Sequence, residues 1–218
     1  MRVRASRPWP SLLILGPTGS GKTPLGDEIE RRGLGGRRCV HFDFGANLRS
    51  LAAGPSAPGW LSGAEIARIR ESLATGALFE DRDMPMILKI VDRFAEERGI
   101  GPGFLLVLNG LPRHEGQGDA LAARVAVESV VLLQASAAVV LERLRLDPGA
   151  DRAARTDDSP EAVERRLADY HARTRPLVAF YRGLGVPVRA IPVTAAMTAA
   201  EMYDSLVRMI GEAGGGSP

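Results

Sequence analysis

Eight consecutive residues, Gly16, Pro17, Thr18, Gly19, Ser20, Gly21, Lys22 and Thr23, have the types and spacing to hold a chain of phosphates. They match G-x-x-x-x-G-K-[S/T] and stand directly after a short apolar run. The glycines let the backbone curl so that successive N–H groups point at phosphate oxygens, and a helix opening at Lys22 adds its positive end. Lys22 would supply a point charge at the β- and γ-phosphates, and the Thr23 hydroxyl would ligate Mg²⁺. Pro24 is unusual, because its missing N–H is one that a phosphate could have used. The pattern points to a nucleotide; by itself it does not say which reaction follows.

Such a loop needs a strand before it and a helix after it. Five short apolar runs read as buried strands, at residues 12–15, 39–42, 104–108, 130–133 and 188–193. They lack polar alternation, which suits a parallel sheet covered on both faces. Helical patterns separate them, so the expected class is α/β, a five-stranded parallel sheet flanked by helices and joined by right-handed crossovers. The stretch between Phe42 and Phe104 is far longer than a crossover requires. Within it Ser62 and Glu65 form a capping box ahead of Ile66, Ile69 and Leu73, and a second helix fits residues 85–97. A loop at 54–59 precedes them, and the segment reads as a helical insertion over the carboxyl edge of the sheet. Thr198 and Glu201 cap a last helix, and the Gly-rich tail at 212–218 is expected to be disordered.

Composition narrows the class. Of 218 residues, 45% are hydrophobic and 25% charged, as in a soluble globular protein. No run approaches the roughly twenty apolar residues of a membrane span, so no membrane role is expected and the cytoplasm is the expected setting. The net charge of +2 argues against nucleic acid as a partner. A lone cysteine, Cys39, excludes internal disulfides and a Cys-rich zinc site. His41, His114 and His171 are not spaced as metal ligands. Only two of the 28 basic residues are lysines, Lys22 and Lys89, so most arginines reflect a general preference and lie on solvated faces.

Four further segments follow the loop in order. Gly45-Ala46-Asn47-Leu48-Arg49 is similar to the T-G-D-L-L-R segment of adenylate kinases, and Gly76 to Asp81 to their G-x-L-V-P-D. Asn109-Gly110-Leu111-Pro112-Arg113, with Gln117, Ala120 and Leu121, resembles D-G-F-P-R-x-x-x-Q-A. Arg155 to Asp158, then Arg165, Arg166, Leu167, Tyr170, Pro176 and Tyr181, resembles R-x-D-D … K-R-L … Y … P … Y. The resemblance runs from Leu12 to about Val193. It implies a single nucleoside monophosphate kinase domain: a core at 11–44, 102–146 and 155–211, a helical monophosphate-binding insertion at about 45–101 and a short lid at about 147–154. It further implies ATP with Mg²⁺ as donor, a nucleoside monophosphate, AMP above all, as acceptor, and a monomer. By position, Arg49 and Arg113 would hold the acceptor phosphate beside Gly45, and Gln117 would read its base. Arg143, Arg155 and Arg166 would clamp the ATP phosphates and the transferring group, making Lys22, Arg113, Arg155 and Arg166 the catalytic set. Thr23 and the residue at Asn109 would serve the metal.

The sequence departs from the family at several places. Asn109 stands where an Asp is expected, Phe44 where a Thr is, Asp147 where a lid arginine is, and the loop reads G-K-T-P instead of G-K-G-T. Asp43 is a carboxylate near the mouth of the sheet. It either caps the strand end or orients an attacking hydroxyl, as in small-molecule kinases of the shikimate type. Phosphorylation of a small hydroxylated metabolite therefore stays open beside the monophosphate reading, as does a nucleotide-binding sensor that has lost turnover.

Overall fold

The protein is described by a computed structural model covering residues 8–101, 103–148 and 160–214. Its sheet consists of β1 (Trp9–Leu15), β2 (Arg38–Asp43), β3 (Phe104–Asn109), β4 (Val125–Gln134) and β5 (Val188–Pro192), all parallel in the order β2-β3-β1-β4-β5. Each expected strand is present. Strands β1 and β4 begin earlier than their apolar runs, pairing from Trp9 and Val125 onward. Their first residues include Ser11, Glu128 and Ser129, whose polarity hid the strand ends from a reading based on apolar runs.

Successive side chains of a strand face opposite sides, so each strand feeds two cores. Leu13 and Leu15 join Phe42, Leu106, Leu108 and Val130 on one face, whereas Leu12 and Ile14 join Val107, Val131, Leu133 and Ile191 on the other. The second face is covered by α1 (Lys22–Arg32) and α9 (Ala199–Gly214), through Leu25, Ile29, Met202 and Leu206. Helix α1 lies close enough that a Cβ on Gly26 would sit 2.3 Å from His41 Nε2. The His41 ring is buried there, with Nδ1 2.8 Å from the Asp27 carboxylate. Thr198 and Glu201 form the expected cap of α9. The helix runs on to Gly214, so residues 212–214 are helical and not part of a disordered tail.

The long segment between β2 and β3 folds as α2 (Phe44–Ala53), α3 (Gly63–Thr75), a single 3₁₀ turn (Asp81–Asp83) and α4 (Met84–Glu97). The capping box of α3 is reciprocal: Glu65 N–H donates to Ser62 Oγ, and Ser62 N–H to the Glu65 carboxylate. Helix α4 lays Met86, Ile87, Ile90 and Val91 onto the first core.

The rest of the chain forms α5 (Glu115–Leu121), α6 (Ala137–Leu146), α7 (Pro160–Asp169), a π-helical turn (Tyr170–Thr174) and α8 (Leu177–Gly183). A bidentate pair from Arg173 to Glu80, at 2.6 and 2.7 Å, ties the π turn to the segment before α4. Asp147 ends α6 in the left-handed conformation, at φ 42°, which Asp tolerates better than most residues. The expected lid begins there, and its residues 149–154, with Arg155, Asp157 and Asp158, lie outside the described residues.

Candidate active site

The carboxyl ends of β1, β2 and β3 lie level, with Ile14 beside Asn109 and Asn109 beside Asp43 in register. Ligands of open parallel sheets sit at such ends. The loop of residues 16–23 leaves β1 here and turns into α1. Gly19 and Gly21 take φ values of 73° and 95°, in the left-handed region where glycine alone is at ease. The buried Ser20 hydroxyl donates to Pro17 O at 2.8 Å and braces the turn from inside. Lys22 Nζ folds back over the loop, donating to Gly16 O at 2.9 Å and Pro17 O at 2.7 Å. Pro24 lies in the first turn of α1, where no intrahelical N–H is needed, and the first helix bond runs from Leu25 N–H to Gly21 O.

Behind the loop, three side chains close a ring. The Thr23 hydroxyl donates to Asp43 Oδ2 at 2.6 Å. Asn109 Nδ2 donates to Thr23 Oγ1 at 3.1 Å and to Asp43 Oδ2 at 3.0 Å. The carboxylate can only accept, so the Asn109 amide must present its NH₂ group here. In this arrangement Asn109 turns its NH₂ group, and not its carbonyl oxygen, toward Thr23 and Asp43. Asp43 Oδ1 meanwhile accepts from Ala46 N–H at 2.8 Å and caps α2. Burial raises the Asp43 pKa, but the bonds from Thr23 and Ala46, with His41 and Arg49 nearby, outweigh it and hold the carboxyl below its usual value.

Across the cleft, a second group of residues faces the loop. Gly110, at φ 82°, brings the chain close to Gly45 and Phe44 before the cis Leu111–Pro112 bond. Arg113 Nε donates to Gly110 O at 3.0 Å, and no carboxylate among the described residues lies within ion-pair distance of its guanidinium. Burial, then the proximity of Arg166, lowers its pKa below the usual arginine value. Arg49 lies one helical turn along α2, its guanidinium 3.2 Å from where a Gly45 Cβ would sit. One cleft of about 220 Å³ contains the loop, Thr23, Asp43, Arg49, Arg113 and Arg166.

No family model matches the chain. Among curated proteins it is 30% identical over 182 residues to the adenylate kinase of Parvibaculum lavamentivorans, a match covering 80% of each chain. It is 35% identical over 182 residues to that of Parasynechococcus marenigrum, covering 81% of this chain and 87% of the relative. A third relative, the adenylate kinase of a Caulobacter species, is 28% identical over 207 residues, covering 92% and 99%. The chain belongs to the adenylate kinase family. It is a divergent member, a nucleotide-binding P-loop kinase. Among solved structures it is similar to a gluconokinase from Sinorhizobium meliloti, with a TM-score of 0.55 and 19% identity over 95% of both chains, a likeness of fold.

The remaining family positions fall in different settings. Arg143 is 3% exposed, and its guanidinium donates to the carbonyls of Gly19, Thr194, Ala195 and Met197, tying the phosphate loop to the segment after β5. Arg166 lines the cleft from α7 and donates to Ala162 O. Gln117 is 1% exposed; its carbonyl accepts from Arg113 N–H at 2.8 Å and its NH₂ donates to Phe79 O at 2.9 Å. Phe44, a departure in sequence, packs against Phe42 and Phe79 and is core. The cleft is also lined by Phe79, Asp169, Tyr170 and Thr174, to which the sequence reading gave no role. The Thr174 hydroxyl donates to Arg113 O. The π-helical turn that delivers it, a form frequent at functional sites, left no mark in the residue pattern.

Proposed function

We propose that this kinase moves the γ-phosphate of ATP to a nucleoside monophosphate, AMP, giving ADP. The observation that carries the proposal is the half-buried guanidinium of Arg113, which faces the phosphate loop across one cleft without a carboxylate partner among the described residues. A cation so placed favours an anionic ligand, and a planar fork suits a phosphate. Arg49 adds a second guanidinium on the same wall, and Gly45 and Gly110 leave room for close approach of the ligand.

In this reading the loop of residues 16–23 wraps the donor phosphates with backbone N–H groups, and Lys22 trades its carbonyl contacts for β- and γ-phosphate oxygens. Arg166 reaches the transferring group from α7. Arg155, the other arginine that the family resemblance assigns there, lies outside the described residues. Arg143 acts from beneath by fixing Gly19. Arg113 and Arg49 hold the acceptor phosphate in line. Its attacking oxygen is already anionic, so positioning does the work and no general base is required.

Magnesium fits the donor side. It prefers oxygen ligands at 2.0–2.1 Å in an octahedron, whose adjacent ligands lie roughly 2.9 Å apart. Thr23 Oγ1 and Asp43 Oδ2 are 2.6 Å apart, close to that spacing. Thr23 and Asp43 would hold the ion, whose positive charge would offset the negative charge that develops on the phosphates.

Asp43 could otherwise serve as the base for a hydroxylated acceptor, but its Oδ2 is turned toward Thr23 on the phosphate-loop side and its Oδ1 caps α2. An ADP-release screen across nucleoside monophosphates and hydroxylated metabolites tests the assignment. AMP should give the fastest turnover; a hydroxylated compound turning over faster than every monophosphate would overturn it.

A further inference from the structure

We propose that Asp43 supplies the negative charge beside the metal, and that Asn109 orients it, so that the metal-side carboxylate of this chain stands at the end of β2 instead of β3. The proposal rests on the ATP–Mg²⁺ reading above and assigns a carboxylate to it.

Three observations carry it. First, Asp43 and Asn109 are partners across β2 and β3 in register, so a charge at either position reaches the same point in space. Second, Asp43 touches the phosphate-loop threonine itself, at 2.6 Å, while its other oxygen caps α2 and fixes its direction. Third, Asn109, 4% exposed, directs its NH₂ group at both Thr23 and Asp43. A neutral donor in that place holds the carboxylate still without competing for the cation. A second carboxylate there would face Asp43 at hydrogen-bond distance, and two such charges cannot both stay ionised at low cost. The Asn at position 109 and the Asp at position 43 therefore form one arrangement, with one charge and one orienting amide.

The arrangement distinguishes a metal-side role from that of a base. A base must offer an oxygen to the acceptor's hydroxyl. Asp43 Oδ2 instead points back to Thr23, on the donor side of the cleft.

The test uses Mn²⁺ in place of Mg²⁺, titrated into the full chain with ATP and no acceptor, with free Mn²⁺ followed by electron paramagnetic resonance. Asn serves as well as Asp at a helix N-cap, so Asp43→Asn keeps α2 capped. This variant should bind Mn²⁺ at least tenfold more weakly in the ATP complex. Its affinity for ATP in EDTA should equal or exceed that of the unmodified protein, because a negative charge near the phosphates is gone. The exchange variant, Asp43→Asn with Asn109→Asp, should recover Mn²⁺ binding to within about threefold, as the charge returns to the same point. Unchanged Mn²⁺ affinity in Asp43→Asn overturns the proposal, as does an exchange variant no better than the single one. Loss of phosphoryl transfer in Asp43→Asn with metal affinity intact would place Asp43 at the acceptor. An unmodified protein that binds Mn²⁺ with ATP but does not phosphorylate monophosphates would overturn the acceptor assignment alone.

Discussion

The side-chain carbonyl of Gln117 accepts the backbone N–H of Arg113 at 2.8 Å, so the residue expected to read a base also holds the residue proposed to grip a phosphate. Its NH₂ group is anchored on Phe79 O, which leaves one amide proton for a ligand. Replacing Gln117 by Leu should therefore raise KM for every monophosphate tried, by roughly tenfold or more, because the loss of a buried bond that positions Arg113 does not depend on the base. Steady-state kinetics with AMP, GMP and CMP check this. A change of preference among bases with Arg113-dependent binding intact would show base reading as the main role.

Arg113 itself should act on one substrate only. Lysine keeps the charge but loses the planar fork, so Arg113→Lys should weaken AMP binding by an order of magnitude or more and leave ATP binding within about twofold. Calorimetry with each nucleotide separately measures both numbers. Loss of ATP affinity with AMP retained would move Arg113 to the donor side.

Gly26 offers a stability test away from the chemistry. In a solvated helix, alanine for glycine would stabilise by roughly 1 kcal/mol. Here the new methyl would lie 2.3 Å from a buried His41 ring atom, so the ring or the helix must shift to admit it. Gly26→Ala should instead destabilise by about 1–3 kcal/mol, the usual range for overpacking. Denaturant unfolding reads the sign directly.

Cys39 should be inert in the folded protein. Burial, set against the favourable pull of Arg37, pushes its thiol up to about 11, and the side chain is 6% exposed. At pH 8 roughly one thiol in a thousand would be thiolate, against about a quarter for a free cysteine. Modification by a thiol reagent at pH 8 should run roughly two hundredfold or more slower in buffer than in denaturant, and raising the pH should speed the native reaction up to about pH 11.

Much of this fold was legible in the residues. The phosphate loop, the five strands and the cap of α3 are local signals, carried by neighbours in sequence, and each appears where its pattern stands. The strand order β2-β3-β1-β4-β5 is set by packing among distant segments and had no local signature. The site divides in the same way. Lys22, Thr23, Arg49 and Arg113 line one cleft. The settings of Arg143 and Asp43 depend on partners far along the chain: the carbonyls at 194–197 for one, Thr23 and Asn109 for the other. No spacing rule connects residue 43 with residue 109, and only the register of β2 on β3 makes them neighbours.

Phosphoryl transfer between two nucleotides in one cleft is reversible, and ADP alone is the substrate that exposes it. A catalyst for ATP plus AMP must also run in reverse, so ADP with Mg²⁺ and no other acceptor should yield ATP and AMP in equal amounts. Followed by ³¹P NMR, that conversion should proceed with the unmodified protein and fall by two orders of magnitude or more in Lys22→Ala, as when a charge that stabilises a transition state is removed. ADP that stays unchanged, or that yields AMP and free phosphate without ATP, would rule out transfer between two nucleotides.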